Sequence, residues 1–194
     1  MSYMFTECFS LTSLDLSNFD TNNLQNMDGI FSSCSKLKSI NLSSFKTNKL
    51  SSLREIFNDC SSLISLDLSN FNTENVESIF NMFSGCSSLI SIDLSSFNTS
   101  KVQIMHFLFY GCSSLTSLNL SNFNTQRVLG MNNMFYGCSK LTYIDISNFT
   151  FPSNSSLSLF DRNFPSVGTI IVKDENAQNQ IESQIPNWKF IFKS

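Results

Sequence analysis

Cysteine recurs at one fixed interval along the chain. The six cysteines stand 26 residues apart every time, at Cys8, Cys34, Cys60, Cys86, Cys112 and Cys138. Self-similarity at a fixed period of roughly 20 to 50 residues is typical of a solenoid, in which each repeat contacts mainly its neighbours. The spacing therefore predicts a repeat architecture. It says less about function, because the surface of a solenoid decides what it binds.

Each repeat combines two periodicities. In the third repeat Leu66 and Leu68 alternate with polar residues, as in a strand with one buried face. Farther along, Val76, Ile79 and Met82 recur every three residues, which suits a short helix or a succession of 3₁₀ turns. The threonines that precede this segment are suitable N-caps: Thr21, Thr47, Thr73, Thr99 and Thr125. The predicted fold class is α/β: a right-handed leucine-rich-repeat solenoid, with a parallel β-sheet on one face and short helices or 3₁₀ turns on the other.

The repeat pattern stops before the end of the chain. It holds over residues 1–149, and a loop-like stretch with Pro152 follows over residues 150–156. Beyond it, residues 169–172 and 188–191 read as strands, and Asp174 reads as the N-cap of a helix over residues 175–184. We therefore expect a solenoid over residues 1–149 and a separate segment over residues 150–194. Trp188 is expected to be a core plug of that segment rather than a ligand platform.

The cysteines are expected to be free thiols. Equivalent residues on successive coils lie about 4.8 Å apart with parallel side chains, whereas a disulfide requires Cβ atoms near about 3.8 Å and a perpendicular dihedral angle. A zinc site requires clustered ligands at short spacings, and this sequence has none. An inert, buried ladder of thiols is therefore favoured over disulfides between coils or a string of metal sites.

The run from Met82 to Thr99 reads Met-Phe-Ser-Gly-Cys-Ser-Ser-Leu-Ile-Ser-Ile-Asp-Leu-Ser-Ser-Phe-Asn-Thr. It resembles the BspA-like leucine-rich repeat surface proteins, and the likeness covers about residues 4–150. It rests on the repeated Met-Phe-x-x-Cys-Ser-x-Leu signature. The resemblance implies a surface-displayed adhesion or binding module rather than an enzyme. It also implies that residues 150–194 form a C-terminal cap, because similar tails close other BspA-like arrays.

Composition and motifs disfavour nucleic-acid binding, membrane insertion and catalysis. A net charge of −3 with 14% charged residues disfavours nucleic acid as a partner, and no apolar run is long enough to predict membrane insertion. The single histidine, His106, has no identifiable nucleophile or base beside it and reads as a surface residue. No glycine-rich phosphate loop is present either. From these observations together we expect no enzyme activity, no metal and no cofactor.

Two surfaces are candidates for binding. The first is the sheet side, where one polar column and a tyrosine point between the buried leucines: Asp15, Asn41, Asp67, Asp93, Asn119, Asp145 and Tyr143. This column reads as a groove for a peptide, a glycan or a weakly held calcium ion, or simply as a solvated ladder, and Asp67 and Asp93 would repel each other. The second is an apolar patch on the helical side: Phe80, Ile104, Phe107, Tyr110, Leu129 and Tyr136. Exposed apolar patches often mark protein contacts, although these residues could also fold inward.

The sequence leaves partner and location open. Our leading interpretation is a non-enzymatic cell-surface or secreted module for adhesion, which recognises a protein or glycan ligand. The alternative is an intracellular, cytoplasmic scaffold, because the first residues lack the pattern of a signal peptide and the thiols are unpaired. The chain opens inside a repeat, at Met4 and Phe5, which predicts either a fragment of a longer protein or self-association through an uncapped N-terminal end.

Overall fold

The chain winds in successive coils that stack through parallel strands. The computed structural model describes residues 1–152 and 157–193. Its strands are β1 (Ser13–Asp15), β2 (Ser39–Asn41), β3 (Ser117–Asn119), β4 (Tyr143–Asp145), β5 (Thr169–Val172) and β6 (Lys189–Phe192). Helix α1 spans Glu175–Ile181, and a 3₁₀ turn follows at Glu182–Gln184. Strands β1 and β2 pair in one parallel sheet and β3 to β6 in another, which confirms the predicted fold class.

The register of the strands repeats the spacing of the cysteines. Ser13 lies opposite Ser39, and Ser117 lies opposite Tyr143, so one coil consumes 26 residues in each case. Tyr143 then pairs with Thr169 at the same interval, although the sequence motif has already ended. The boundary expected at residue 150 is thus a boundary of sequence pattern, because the strand register keeps the same interval beyond it.

The sheet is interrupted in the middle of the solenoid. No named strand covers residues 65–67 or 91–93 of the third and fourth coils, although Ile90 N still donates to Ile64 O at 3.2 Å. Asp67 and Asp93 are neighbours here, and a cleft of about 60 Å³ opens beside them. Like charges on adjacent strands disfavour close pairing, so the interruption falls where the two carboxylates meet.

The opposite side of each coil is a ribbon of turns rather than a helix. In the coil that leads into β2, Ile30 N donates to Met27 O at 3.2 Å and closes a turn within the coil. Phe31 N donates to the next coil instead, at Ile56 O, 3.1 Å away. Because alternate N–H groups leave the coil, the hydrogen bonds that would continue a helix are not made. Of the two forms that the sequence left open for this segment, a short helix and a succession of turns, the structure has the turns.

Two residues of every such ribbon adopt the left-handed conformation. In the ribbon before β2 they are Gly29 and Ser33, with φ of 58° and 60°. In the ribbon before β3 they are Phe107 and Gly111, with φ of 58° and 71°. A left-handed residue every fourth position reverses the local twist and prevents helix propagation. The residues that occupy these places in the other coils are mostly polar, namely Glu7, Glu55, Asp59, Asn81 and Asn133, together with Tyr3, Gly85 and Gly137.

The threonine column does not cap helices. Thr73 Oγ1 donates to Asn98 O at 3.0 Å and accepts from Asn98 N at 2.7 Å, so one hydroxyl ties two coils together. Thr47 and Thr99 bond in the same way to Asn72 and Asn124. These hydroxyls are buried, and within the described residues no buried side-chain oxygen or nitrogen lacks a partner. The predicted N-cap role was wrong, because the segment that follows is not helical.

Cysteine and phenylalanine columns fill the core. Cys86 Sγ donates to Phe57 O at 3.1 Å, and the cysteines of the neighbouring coils make the same bond to the phenylalanine 29 residues earlier. The five cysteines from Cys34 to Cys138 are buried free thiols, and Cys8 is half-buried. One phenylalanine per coil stacks on the next at centroid distances of 5.4 to 6.2 Å: Phe5, Phe31, Phe57, Phe83, Phe109, Phe135 and Phe160.

The C-terminal segment closes the stack with side chains. Gln184 Oε1 accepts from Leu159 N at 2.8 Å, and Asp161 Oδ2 accepts from Gly137 N at 3.0 Å. In earlier coils the acceptor at such a position is a carbonyl oxygen of the next coil, for instance Tyr136 O for Gly111 N. Asp174 caps α1 by accepting from Ala177 N at 2.9 Å, as the sequence predicts. Trp188 is buried and donates to Pro165 O at 2.8 Å. Residues 153–156 of the expected loop lie outside the described residues.

Candidate functional site

The polar column of the sheet face performs a structural task in every coil. Asp67 Oδ1 accepts from Ser69 N at 2.9 Å, and Asn41 Oδ1 accepts from Ser43 N at 3.0 Å. The remaining members accept from the backbone two residues later in the same way: Asp15, Asp93, Asn119 and Asp145. A side chain that bonds the backbone two residues on forms an Asx turn, which ends the strand. One oxygen of each side chain is therefore committed to the fold.

Hydrogen bonding also sets the charge state of this column. The backbone N–H of the serine two residues later lowers the pKa of Asp15, Asp67 and Asp93 below its ordinary value, because the bond favours the ionised carboxylate. For Asp93, the neighbouring Asp67 acts in the opposite direction and raises the pKa. The column is thus a line of exposed carboxylates and amides from Asp15 to Asn119, and it ends at the half-buried Asp145 beside the exposed Tyr143.

We name Phe80, Ile104, Phe107, Tyr110, Leu129 and Tyr136 the aromatic patch, and its four rings are continuous across three coils. Phe107 meets Phe80 edge to face with ring centroids 5.9 Å apart, and meets Tyr110 at 5.8 Å. Tyr110 stacks on Tyr136 at 5.1 Å with an angle of 8° between the rings. These separations lie within the range at which aromatic pairs attract each other.

The patch is partly open to solvent. Leu129 is 73% exposed, and Ile104, Tyr110 and Tyr136 are 38%, 38% and 37% exposed. Phe80 and Phe107 are half-buried. Leu129 lies next to Ile104 because Leu129 N donates to Gln103 O and because Ile104 pairs with Gly130. The alternative reading, in which the patch residues fold into the core, does not describe these side chains.

Two residues that the sequence analysis did not assign to the patch lie at its margin. The guanidinium of Arg54 lies over the ring of Phe80, 5.0 Å from its centroid. The ring of His106 lies 6.2 Å from that of Phe107. Arg54, Phe80 and His106 occupy the same place in successive repeats, 26 residues apart. Comparing the variable column across repeats would have brought them together.

His106 is not the free surface residue that was expected. Its Nδ1 accepts from Asn132 N at 3.0 Å, and its ring covers Gly130, where a Cβ atom would collide with it. Partial burial lowers the pKa of His106 below its ordinary value, because burial disfavours the charged imidazolium. The neutral ring that accepts at Nδ1 is therefore the favoured form.

Across residues 1–152 and 157–193, no three His, Cys, Asp or Glu side chains come together as a group that could hold a metal ion. In the same part of the chain, no helix is both long and apolar enough to cross a membrane. The arrangement offers contact surfaces: a polar column on the sheet face, and aromatic edges with a cation on the turn side.

Comparison with known proteins places these features in a family. A family model described as Mycoplasma protein of unknown function, DUF285, matches residues 1–115 and again residues 82–163. The chain belongs to this family. The assignment agrees with the kind of repeat protein that the sequence resembles, and the specific BspA-like motif stays a prediction.

Solved structures and curated proteins were also compared with the chain. A crystal structure of a leucine-rich repeat protein from Bacteroides ovatus is similar at 19% identity, over 88% of this chain and 71% of that one, with a TM-score of 0.26. No match was found among curated proteins. The function must therefore be argued from the surface itself.

Proposed function

We propose that the chain is a non-enzymatic binding module, displayed on a cell surface or secreted, that mediates adhesion through the aromatic patch. Leucine-rich-repeat architecture favours a role in protein interaction, because stacked coils present an extended surface. The observation that carries the proposal is the run of four aromatic rings from Phe80 to Tyr136 that is left partly open to solvent. Tyrosine, with its large rigid ring and polar tip, is enriched where proteins bind each other.

The patch is a better candidate than the sheet face. Each Asp or Asn of the sheet column already uses one oxygen in an Asx turn, and the column is nearly the same in every coil. The turn side differs from coil to coil, so it carries more information for recognition. Apolar and aromatic side chains are also rarely left exposed together without a binding role.

An intracellular scaffold for protein–protein interaction is the alternative, and the free thiols are the observation that favours it. Secreted proteins more often oxidise their cysteines. Here, however, burial raises the pKa of Cys60 to about 12 and that of Cys34 to about 11. Buried, protonated thiols react slowly in any compartment, so they weaken the argument for a cytoplasmic location.

Binding assays with matched variants test the proposal. The purified chain is immobilised and presented with extracellular-matrix proteins, host-cell surface extracts and a glycan array. The patch variant Phe107→Asn/Tyr110→Ser/Leu129→Gln takes each new residue from the same place in another repeat, namely Asn81, Ser84 and Gln103. We expect it to lose about tenfold or more in affinity, as hot-spot residues do.

The control is a change on the sheet face. Tyr143→Ser introduces the residue found at the same place in every earlier repeat, for instance Ser117. It should leave binding unchanged. Binding that vanishes with Tyr143→Ser and survives the patch variant would move the site to the sheet face. A panel without any binding would count against the proposal as a whole.

Location is tested separately from binding. An antibody against the chain is applied to intact cells of the source organism, with and without brief protease treatment of the cell surface. Labelling of intact cells that the protease removes is the expected result. Labelling that appears only after lysis would favour the intracellular scaffold.

A further inference from the structure

One face of three rings in the aromatic patch is already covered within the chain. Tyr110 and Tyr136 stack on each other, and the guanidinium of Arg54 covers Phe80. Sugars dock on aromatic residues mainly by laying their C–H groups against open ring faces. This patch also offers ring edges and two tyrosine hydroxyls, and neither the hydroxyl of Tyr110 nor that of Tyr136 is hydrogen bonded to any described residue. Ring edges and hydroxyls suit apolar side chains and backbone groups of a protein.

The six residues of the patch carry no charge, and the low pKa of His106 keeps the neighbouring imidazole neutral. The guanidinium of Arg54 at the margin is exposed and makes no ion pair with any described residue. The carboxylate of Asp28 accepts from the backbone N–H of Arg54 at 3.2 Å and leaves the guanidinium free. Arginine beside tyrosine is the composition of interface hot spots, and its planar guanidinium pairs well with a carboxylate.

Phe107 occupies a position that is costly for its residue type. Its φ is 58°, whereas the same place holds Asn81 and Asn133 in the adjacent repeats. A bulky side chain in the left-handed region is disfavoured, and asparagine tolerates that region. The ring is nevertheless placed in the centre of the patch, between Phe80 and Tyr110. Local strain of this kind is often found at functional sites.

We propose that the aromatic patch and Arg54 together bind a protein segment that carries a carboxylate beside apolar side chains. The carboxylate pairs with Arg54, and the apolar side chains pack on the edges of Phe107, Tyr110 and Tyr136. This inference rests on the proposed function and narrows its partner to an acidic and apolar protein surface.

Selection of short peptides on the intact chain tests the inference. A display library of random peptides is selected on the wild-type chain and counter-selected on the patch variant Phe107→Asn/Tyr110→Ser/Leu129→Gln. The affinity of each selected peptide, synthesised, is then measured by fluorescence anisotropy. We expect the selected peptides to combine Asp or Glu with apolar residues, and to bind Arg54→Glu about tenfold or more weakly than wild type.

Control variants, a changed peptide and a test of folding separate recognition by Arg54 from a general loss of charge or fold. Arg54→Lys keeps the charge and should weaken binding less than Arg54→Glu. Lys36→Glu reverses an exposed charge in another part of the second repeat and should leave binding unchanged. Exchanging the acidic residue of a selected peptide for lysine should restore part of its binding to Arg54→Glu. Circular dichroism and thermal unfolding establish that each variant is folded.

The outcomes distinguish this inference from the function on which it rests. Selected peptides without acidic residues, equal binding to Arg54→Glu and wild type, or a selection that yields no patch-dependent peptide would each overturn the inference. Glycan binding that the patch variant abolishes would overturn it while leaving the adhesion function intact. Absence of all binding, to proteins, peptides and glycans alike, would overturn both.

Discussion

Buried threonine and cysteine side chains act as links between coils. Thr73 Oγ1 bonds the N–H and the C=O of Asn98, and Cys86 Sγ donates to the carbonyl of Phe57. Each side chain reaches the backbone of a neighbouring coil, so its contribution exists only when that neighbour is folded. The cysteine column is thus more than a set of small apolar residues, because each buried thiol satisfies a carbonyl oxygen.

The thiols should differ sharply in reactivity. In the native chain at mildly alkaline pH we expect Cys8 to react with a disulfide reagent first, and the other five to react only on unfolding. The reason is burial, which raises the pKa of Cys60 and Cys138 to about 12 and so removes the reactive thiolate. Thiol titration with and without denaturant measures this. The variant Cys8→Ser should show no fast thiol, and two or more fast thiols in the native wild type would contradict the description of the core.

His106 should make stability fall as the pH drops below about 6.5. Because its pKa is lowered in the folded state, the unfolded chain binds the proton more readily as the pH falls below the ordinary value of 6.5. The stabilisation is complete above that value and is lost as the pH falls toward the folded-state pKa. Protonation at Nδ1 would also break the bond from Asn132 N. Denaturant unfolding at several pH values measures the slope.

The matched variant for this test is His106→Asn, which introduces the residue found at the same place in the next repeat, Asn132. It should flatten the dependence of unfolding free energy on pH below about 6.5. The carboxylates with lowered pKa values, Asp15, Asp67 and Asp93, titrate at lower pH and do not interfere. Parallel slopes for variant and wild type would show that His106 does not titrate as described.

At the scale of elements, the sequence predicted the strand β5 and the C-terminal helix, and it left a short helix and turns as alternatives for the turn ribbon. The apolar run at residues 169–172 and the N-cap Asp174 are local signals, and local signals specify strands and helix starts. The ribbon is stabilised by bonds between coils, such as Phe31 N to Ile56 O, which join residues 25 apart. Apolar residues that recur every three positions fit a helix and a ribbon of turns equally well, so the sequence alone did not distinguish these two structures. The aromatic patch was visible in the sequence as a set of residues, and Arg54 and His106 stand one repeat before and one repeat after Phe80, so the same comparison of repeats would have found them.

The interruption of the sheet at Asp67 and Asp93 should respond to charge. Asp93→Asn keeps the side-chain oxygen that accepts from Ser95 N and removes the repulsion with Asp67. We expect it to raise the thermal unfolding midpoint at low ionic strength, and we expect the gain to shrink in high salt, because exposed charges are screened. Thermal unfolding at two salt concentrations measures both effects.

Asp15→Asn is the matched control for that substitution. Asp15 makes the same Asx turn, but its neighbour in the column is Asn41 rather than a carboxylate. The control should therefore show no gain from removal of its charge. An equal gain for both variants would mean that general net charge, and not the adjacent pair, determines the effect.

For the whole molecule, stability should depend on the number of coils in register. Deletion of residues 35–60 removes one period and joins Cys34 to Ser61, so every column is preserved. We expect a folded chain with a lower midpoint in urea and a smaller m-value, because one coil of buried surface is lost. Circular dichroism and urea unfolding measure these changes.

A deletion of one residue fewer, 35–59, is the control. It shifts all later columns by one position and turns buried side chains toward solvent. It should prevent cooperative folding. Equal behaviour of the two deletions would contradict the 26-residue coil as the structural unit.

The closing side chains of the C-terminal segment have an evolutionary consequence. Asp161 and Gln184 accept from the last coil in places where a further coil would accept, and they do so whatever number of coils comes before. A gene of this kind can therefore gain or lose whole periods by unequal recombination without redesigning its terminus. The length of the molecule can change in heritable steps of about 4.8 Å, one for each period.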